Sequence, residues 1–336
     1  MPKFLIIRFS SIGDIVLTTP VIRCLKKQMP DAELHFLTKK SFGTIFKANP
    51  YIHKIHLLED NLNETINLLK KEAFDFIIDL HNNIRTYRVK MGLGVKSYSF
   101  EKLNLEKWAM TALKINRLPD VHIVHRYLDT LKTFGIYNDG AGLDYFIPEN
   151  ELEKTIELPK SHQAGFIGLV IGAAVATKRL PLEKLSALCA SVSLPIVLLG
   201  GPDDASNGER ISALNHHVFN ACGKFTLHQS ANLIKQATLV VTHDTGLMHI
   251  AAAFNKSIIS IWGNTIPEFG MFPYYEESTE ISSAQFEVKN ISCRPCSKIG
   301  FKECPKGHFK CMENQDLLRI KEKIEFFWVK YQRIQN

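Results

Sequence analysis

Apolar and polar residues alternate along this chain with two periods, and their order predicts an α/β protein. "KFLIIRF" (3–9) is a short, nearly continuous apolar run, the mark of a strand buried on both faces. In "DIVLTTPVIRCLKKQMP" (14–30), Val21, Ile22, Leu25 and Met29 share one helical face, with Lys26 and Lys27 opposite. "AELHFLT" then predicts a strand, "FGTIFKANP" a helix, "KIHLLE" a strand, "LNETINLLKKEA" a helix and "FDFIIDL" a strand. From there to Ile136 the pattern is helical, apart from "MGLGVKSYSF", which suits neither period. Strands and helices alternating at this spacing predict a parallel sheet with helices on both faces.

Between about 137 and 163 the period lapses into Gly, Pro, Asn and acidic residues, as in a linker. Alternation restarts with "GFIGLVIGA" (strand), "PLEKLSALCASVS" (helix), "PIVLLGG" (strand) and "GERISAL" (helix). It continues through "LHQSANLIKQA" (helix), "TLVVTH" (strand), "GLMHIAAAFN" (helix) and "SIISIWG" (strand). The tail, "NQDLLRIKEKIEFFWVKYQRI", predicts an amphipathic helix with its stripe at Leu317, Ile320, Ile324 and Phe327, extending to Tyr331. This is a doubly wound parallel sheet occurring twice: a domain over 1–150, a second over 151–315, and a terminal helix over 316–336. A length of 336 residues agrees with two cores.

Composition narrows the picture. Hydrophobic residues make up 45% and charged residues 22%, an ordinary globular balance. "MPKFLIIRFSSIGD" is interrupted by Arg8 and carries no small-residue cleavage site, and "AGFIGLVIGAAVAT" is too short to cross a bilayer, so a cytoplasmic location is expected. The net charge of +7 suits an anionic partner (a nucleotide, a phosphorylated substrate, a membrane surface) or simply a solvated basic surface. No arginine-rich run or nucleic-acid module occurs, so nucleic acid is not an expected partner.

Ligands of open parallel sheets bind beyond the carboxyl ends of strands, which directs attention to five loops. In "SSIGD", Ser10 or Ser11 can cap the next helix and Gly13 permits a close approach. Asp14 falls in the first helical turn, where it serves either the helix start or chemistry. In "VIGAAVATKRLP" a strand ends at Gly172, and Lys178 precedes a proline-started helix, a plausible clamp on phosphate oxygens or a solvated lysine. "LLGGPDD" offers Gly200 and Gly201, and "CGKFTL" offers Gly223; each is a close-approach point or merely a turn. In "VVTHDTGLMHIAAAF", Asp244, Thr245 and Gly246 open a helix carrying His249 on an exposed first turn, an arrangement suited to a diphosphate. A dinucleotide G-x-G-x-x-G fingerprint is absent in that context.

Cys24, Cys189 and Cys222 lie in apolar segments, as core thiols do. Cys293, Cys296, Cys304 and Cys311 cluster with spacing that suits either a structural tetrahedral zinc, with His308 a fifth candidate ligand, or reduced buried thiols. Their distance in sequence from the five loops argues against a catalytic metal there.

"SSIGDIVLTTPVIRCLK", "KRLP", "GGPDD" and "DTGLMHIAAA", in this order and with "CRPC…CPKGHFKC" near the end, resemble glycosyltransferase family 9, which contains the bacterial heptosyltransferases of lipopolysaccharide core assembly. The resemblance runs through nearly the whole chain. It implies a GT-B fold: two Rossmann-like domains facing a central cleft, the last helix crossing back to the first. It also implies an inverting, metal-independent transferase that requires no cofactor beyond its nucleotide-sugar donor, most commonly ADP-heptose, and acts on a lipid-linked core oligosaccharide. By residue match, Asp14 would be the general base and Lys178 would balance charge on the leaving diphosphate. Gly172, Thr177, Gly200, Gly201, Gly223, Asp244, Thr245, Gly246 and His249 would lie on the donor side. Ser10, Ser11, Gly13 and, from "DLHNNIRTYRVKM", Asp79, Asn82 and Arg85 would lie on the acceptor side.

The chain departs from the family pattern at Ala173 and Ala174, where threonines are found, with Thr177 the candidate replacement, and at Leu180, where tryptophan is common. These departures bear on the donor sugar more than on the reaction. Rival readings are a GT-B transferase or epimerase using a UDP-sugar, and a non-catalytic glycolipid-binding module. The expected state is a monomer, with Phe326, Phe327 and Trp328 either touching the inner membrane or packing in the core.

Overall fold

The computed structural model describes residues 1–153, 156–278 and 280–335. The first sheet contains β1 (Lys3–Ile7), β2 (Glu33–Lys39), β3 (Lys54–Leu58), β4 (Phe76–Asp79) and β5 (Lys96–Ser99), in the order β3-β2-β1-β4-β5. The second contains β6 (Ile167–Val170), β7 (Ile196–Leu199), β8 (Val218–Asn220), β9 (Leu239–His243), β10 (Ser257–Trp262) and β11 (Ser283–Glu287), in the order β11-β10-β9-β6-β7-β8. Every strand pair in both sheets is parallel.

Each sheet starts at its centre and grows first to one side, then to the other. The order therefore reverses between β1 and β4 and between β6 and β9. Strands flanking such a reversal send their following loops apart and leave a crevice at their carboxyl ends. The loops after β1 and β4 carry Asp14 and Asn82; those after β6 and β9 carry Lys178 and Asp244. The central strands must bury both faces, which is why "FLII" and "LVV" read as unbroken apolar runs: Leu5, Ile7, Ile77 and Leu37 share one core, and Ile167, Leu169, Val241 and Ile259 the other.

The chain divides into two compact units. One comprises Met1–Leu103, Val121–Pro148 and Glu276–Ser278; the other comprises Asn104–Asp120, Glu149–Tyr275 and the described residues after 279. The aperiodic 137–163 stretch thus contains the passage between the units: its first part, up to Pro148, belongs to the first unit, and the second unit resumes at Glu149. Arg23, buried on the helix Thr19–Gln28, pairs with Asp139 (2.8 Å) and Asp144 (2.5 Å), and Leu143 and Tyr145 are buried beside them. Long-range ion pairing has no period, so the pattern lapses there.

Other elements also differ from expectation. The helix expected over 14–30 is two, Ile12–Val16 and Thr19–Gln28, because Pro20 is accommodated in a first turn and not inside a helix. Residues expected as a helix through 42–50 form a 3₁₀ segment, Lys40–Phe46. The ambiguous "MGLGVKSYSF" supplies β5, while β8 and β11 were not anticipated. The final helix, Leu317–Gln335, buries Ile320, Ile324, Phe327 and Trp328 in the second unit's core, so packing of 316–336 on the first domain does not account for that stripe's burial. Of the three aromatic residues considered for membrane contact, Phe327 and Trp328 are core and Phe326 is exposed. Among the described residues no helix is long and apolar enough to cross a membrane.

Candidate active site

In the first unit the site is organised around Arg8, the charged residue that follows β1. Its guanidinium donates to the Leu80 carbonyl (2.6 Å), the Tyr127 hydroxyl (3.0 Å) and the Ser10 carbonyl (2.8 Å), and pairs with Asp14 Oδ1 at 2.6 Å. Asp14 Oδ2 accepts from the Ser11 amide (3.1 Å) and the Ser11 hydroxyl (2.8 Å). Burial pushes the Asp14 carboxyl up, but the Arg8 charge and the Ser11 hydrogen bonds outweigh it and hold Asp14 below the usual carboxylate range. A carboxylate can accept about four hydrogen bonds. Three are used here, and the side chain is 19% exposed, which leaves room for one more donor. Gly13 lies inside the short helix and donates nothing toward this cluster; its carbonyl accepts from Leu17.

The segment after β4 divides into support and surface. Asp79 is fully buried: one oxygen accepts from the amides of His81 and Asn82, and the other pairs with Lys90 at 3.0 Å. It shapes the loop and offers nothing to an acceptor, contrary to the expectation for this residue. Asn82, at φ +48°, anchors its amide to the Phe100 carbonyl. Arg85 is exposed, its guanidinium 5.4 Å from the Phe9 ring centre. His81, missed in the sequence, packs against the same Phe9 ring, 5.0 Å centre to centre. Burial and the nearby Arg8 charge lower its imidazole to about 4, and its Nδ1 is buried without a hydrogen-bond partner among the described residues.

In the second unit Lys178 Nζ meets Asp244 Oδ2 at 2.6 Å, and the same oxygen accepts from Thr265 Oγ1 at 2.9 Å. Two loops that follow neighbouring strands are thereby joined. Asp244 acts first as the group that positions Lys178. Thr245 caps the helix Gly246–Ala253, its hydroxyl accepting from the Met248 amide, and Gly246 opens the helix. His243 fixes the other side of the lysine loop: Nε2 accepts from the Leu180 amide at 3.0 Å. Burial, then the Arg179 charge, lowers His243 to about 4, so it is neutral and able to accept.

Four donor-side candidates are explained by packing. His249 is 2% exposed, not on an open first turn, because its helix presses that face into the fold. Thr177 is buried and makes reciprocal bonds with the Phe301 backbone (2.8 and 3.1 Å), so it is not available to replace the threonines absent at 173 and 174. Gly172 and Gly200 lack side chains for the sake of Asp204: a Cβ at Gly172 would lie 2.1 Å from Asp204 Oδ2, and one at Gly200 2.8 Å. Asp204 in turn accepts from the Gly201 amide (2.9 Å) and pairs with Arg179 (3.1 Å). Gly223 adopts φ +71° against Pro202.

The four clustered cysteines are free thiols; Cys293 Sγ lies 3.6 Å from His308 Nε2, and Cys311 is buried. Burial and the neighbouring Cys293 push Cys296 up to about 12. Sequence distance misled in one respect, for this segment braces the donor-side loops. Arg294 donates to the carbonyls of Gly263 (2.6 Å) and Thr265 (2.9 Å), and the Cys296 amide donates to Asn264. Asn264 is 2% exposed, with both ends of its amide lacking hydrogen-bond partners among the described residues. Arg8, His81, His243, Thr265, Arg294 and Asn264 were all missed. Only Arg8 left a signal, a charge at the end of a buried apolar run.

Comparison with known proteins identifies the family and the fold. The family model described as glycosyltransferase family 9 (heptosyltransferase) matches residues 64–300. Lipopolysaccharide heptosyltransferase 1 of Campylobacter coli is 26% identical over 78% of this chain and 84% of its own length. A glycosyltransferase family 9 structure from Veillonella parvula superposes with a TM-score of 0.74 at 20% identity, covering 98% of both chains. The E. coli ADP-heptose lps heptosyltransferase II gives 0.73 at 18% identity, covering 98% of this chain and 99% of its own. At these identities the two structures establish the GT-B fold.

Proposed function

The chain belongs to glycosyltransferase family 9, and from that premise we propose that it transfers a heptose from ADP-heptose to a lipopolysaccharide core acceptor, inverting the anomeric centre without a metal. The observation that carries this reading is a charged cluster at the sheet reversal of each unit: a carboxylate with one acceptor position open in the first, and a lysine held by Asp244 in the second.

Asp14 takes the proton from the acceptor hydroxyl as that oxygen attacks the anomeric carbon, and the bond to the ADP oxygen breaks. The Arg8 and Ser11 contacts aim the carboxylate and keep it charged. They also make it a weak base, so it acts as the oxocarbenium character of the reacting sugar makes the acceptor hydroxyl acidic. Lys178, aimed by Asp244, stabilises the charge that develops on the departing diphosphate. Ser10 and Ser11 with Arg85 receive the acceptor; Thr245, Gly246, Gly201 and Gly223 receive the nucleotide. The protein works as a monomer at the cytoplasmic face of the membrane that holds its lipid-linked acceptor.

The similar E. coli protein is an ADP-heptose lps heptosyltransferase, which favours ADP over other nucleotides here. Thermal melts with ADP, UDP, GDP and CDP test the choice, since a ligand of the native state raises Tm. A rise with ADP and turnover of ADP-heptose are expected. A rise with UDP alone would replace the donor.

A further inference from the structure

We propose that the first unit holds a divalent transition-metal site, away from the transfer chemistry, formed by His35 Nδ1, His56 Nε2 and Glu72 Oε2, with zinc as its natural test ion. These three atoms lie within 4.8 Å of one another. They come from three elements: β2, the edge strand β3, and the turn that follows the helix Leu62–Lys70. His35 stands in the amino-terminal half of β2, whereas the candidate active-site residues lie beyond the carboxyl ends of their strands.

The hydrogen bonds decide which nitrogen is available. His35 Nε2 lies 2.7 Å from Glu33 Oε1, and a carboxylate only accepts, so Nε2 carries the proton. His35 Nδ1 then presents its lone pair, and His56 Nε2, 2.8 Å away, donates to it. A metal ion bound here takes the place of that hydrogen bond: His56 adopts the tautomer with its proton on Nδ1, which frees the Nε2 lone pair, and no net proton is lost. Glu33 remains the carboxylate behind a ligating histidine, the partner that fixes the tautomer and raises ligand basicity at metal sites.

Glu72 Oε2 is 4.0 Å from His35 Nδ1, while Lys54 occupies the other oxygen, Oε1, at 2.5 Å. Zinc bonds of about 2.0–2.1 Å place tetrahedral ligand atoms about 3.3 Å apart. Separations of 2.8 and 4.0 Å reach that value with sub-ångström adjustments. Burial holds both imidazoles below their ordinary value, His56 at about 4, so both are neutral at physiological pH, as ligands must be.

A second trio, Glu33, His35 and His53, meets the same proximity criterion. It is the weaker arrangement: an ion on His35 Nε2 would break the Glu33–His35 hydrogen bond, and Lys3 already occupies the same Glu33 oxygen at 3.2 Å. The proposed ion would clip β3, which pairs only with β2, to the end of the neighbouring helix.

Zinc titration of the full chain by calorimetry, beside its H56Q/E72Q variant, tests the site. Because free thiols elsewhere on the chain take up zinc from solution, the reading is the difference between the two proteins. Wild type should bind one more equivalent than the variant, and its zinc-dependent rise in Tm should be the larger of the two. Glu33→Gln should keep the stoichiometry and weaken that equivalent about 10–100-fold. Equal stoichiometry and affinity in wild type and a folded H56Q/E72Q, judged by identical far-UV circular dichroism, would overturn the proposal. Should the double variant misfold, E72Q alone, altered at a surface turn, decides it by the same comparison.

Discussion

Replacing Asp14 by Asn tests the centre of the mechanism with a nearly isosteric change. The amide oxygen still accepts from Ser11, but the charge facing Arg8 at 2.6 Å is gone. Arg8 keeps three neutral acceptors, the carbonyls of Leu80 and Ser10 and the Tyr127 hydroxyl, so most of its hydrogen bonds stay satisfied although its ion partner is gone. The stability cost should therefore be about 3 kcal/mol, at the upper end of losing a charged hydrogen bond and the lower end of the roughly 3–5 kcal/mol of a stranded buried ion. Catalysis should suffer more: loss of a general base costs about 10²–10⁴ in rate, or about 3–5 kcal/mol of barrier. The assay is ADP release at saturating ADP-heptose and acceptor, read alongside ADP affinity, which should be unchanged.

The pH dependence follows from the sign of the shift. The folded Asp14 carboxyl is depressed relative to the unfolded chain, so its contribution to stability is complete above the unfolded carboxylate value, about 4, and is lost as pH falls through the folded value. Asp14 must also be charged to act, so the acid limb of kcat/KM assigned to it lies below that range. A folded D14N protein that turns over within about threefold of wild type would refute the assignment.

Two further outcomes are expected. Lys178→Gln removes the cation that faces Asp244 and should lower kcat by about 10²–10³ in the ADP-release assay; an unchanged kcat would remove Lys178 from leaving-group stabilisation. Gly172→Ala drives a methyl group into Asp204, loosening Arg179 and Gly201, and should cost about 1–3 kcal/mol, visible as a lower Tm without ligand; a wild-type Tm would show that Asp204 is not what demands the glycine.

The candidate site was legible where chemistry is carried by a loop motif. Asp14, Lys178 and Asp244 each follow a strand that its apolar run announces, and the structure places each beyond a carboxyl end at a sheet reversal. It was illegible where a residue's role depends on a partner far along the chain. Thr177 reads as a donor contact until Phe301 is found on its hydroxyl, and Gly172 reads as a close-approach glycine until Asp204 is found beside it. His249 follows a binding loop in sequence, but the orientation of its helix, set by packing, buries it.

By itself the sequence determined the two α/β halves, the strand-end position of the reactive residues and the apolar stripe of the final helix. These follow from side-chain periodicity, which is local and is written directly in residue order. Tertiary structure alone decided which unit buries that stripe, that Arg23 anchors the aperiodic stretch through Asp139 and Asp144, and that the cysteine segment braces the loop after β10 through Arg294 and the loop bearing Lys178 through Phe301. Those outcomes rest on pairings between residues remote in sequence, whose strength depends on distance and burial that exist only once the chain has folded.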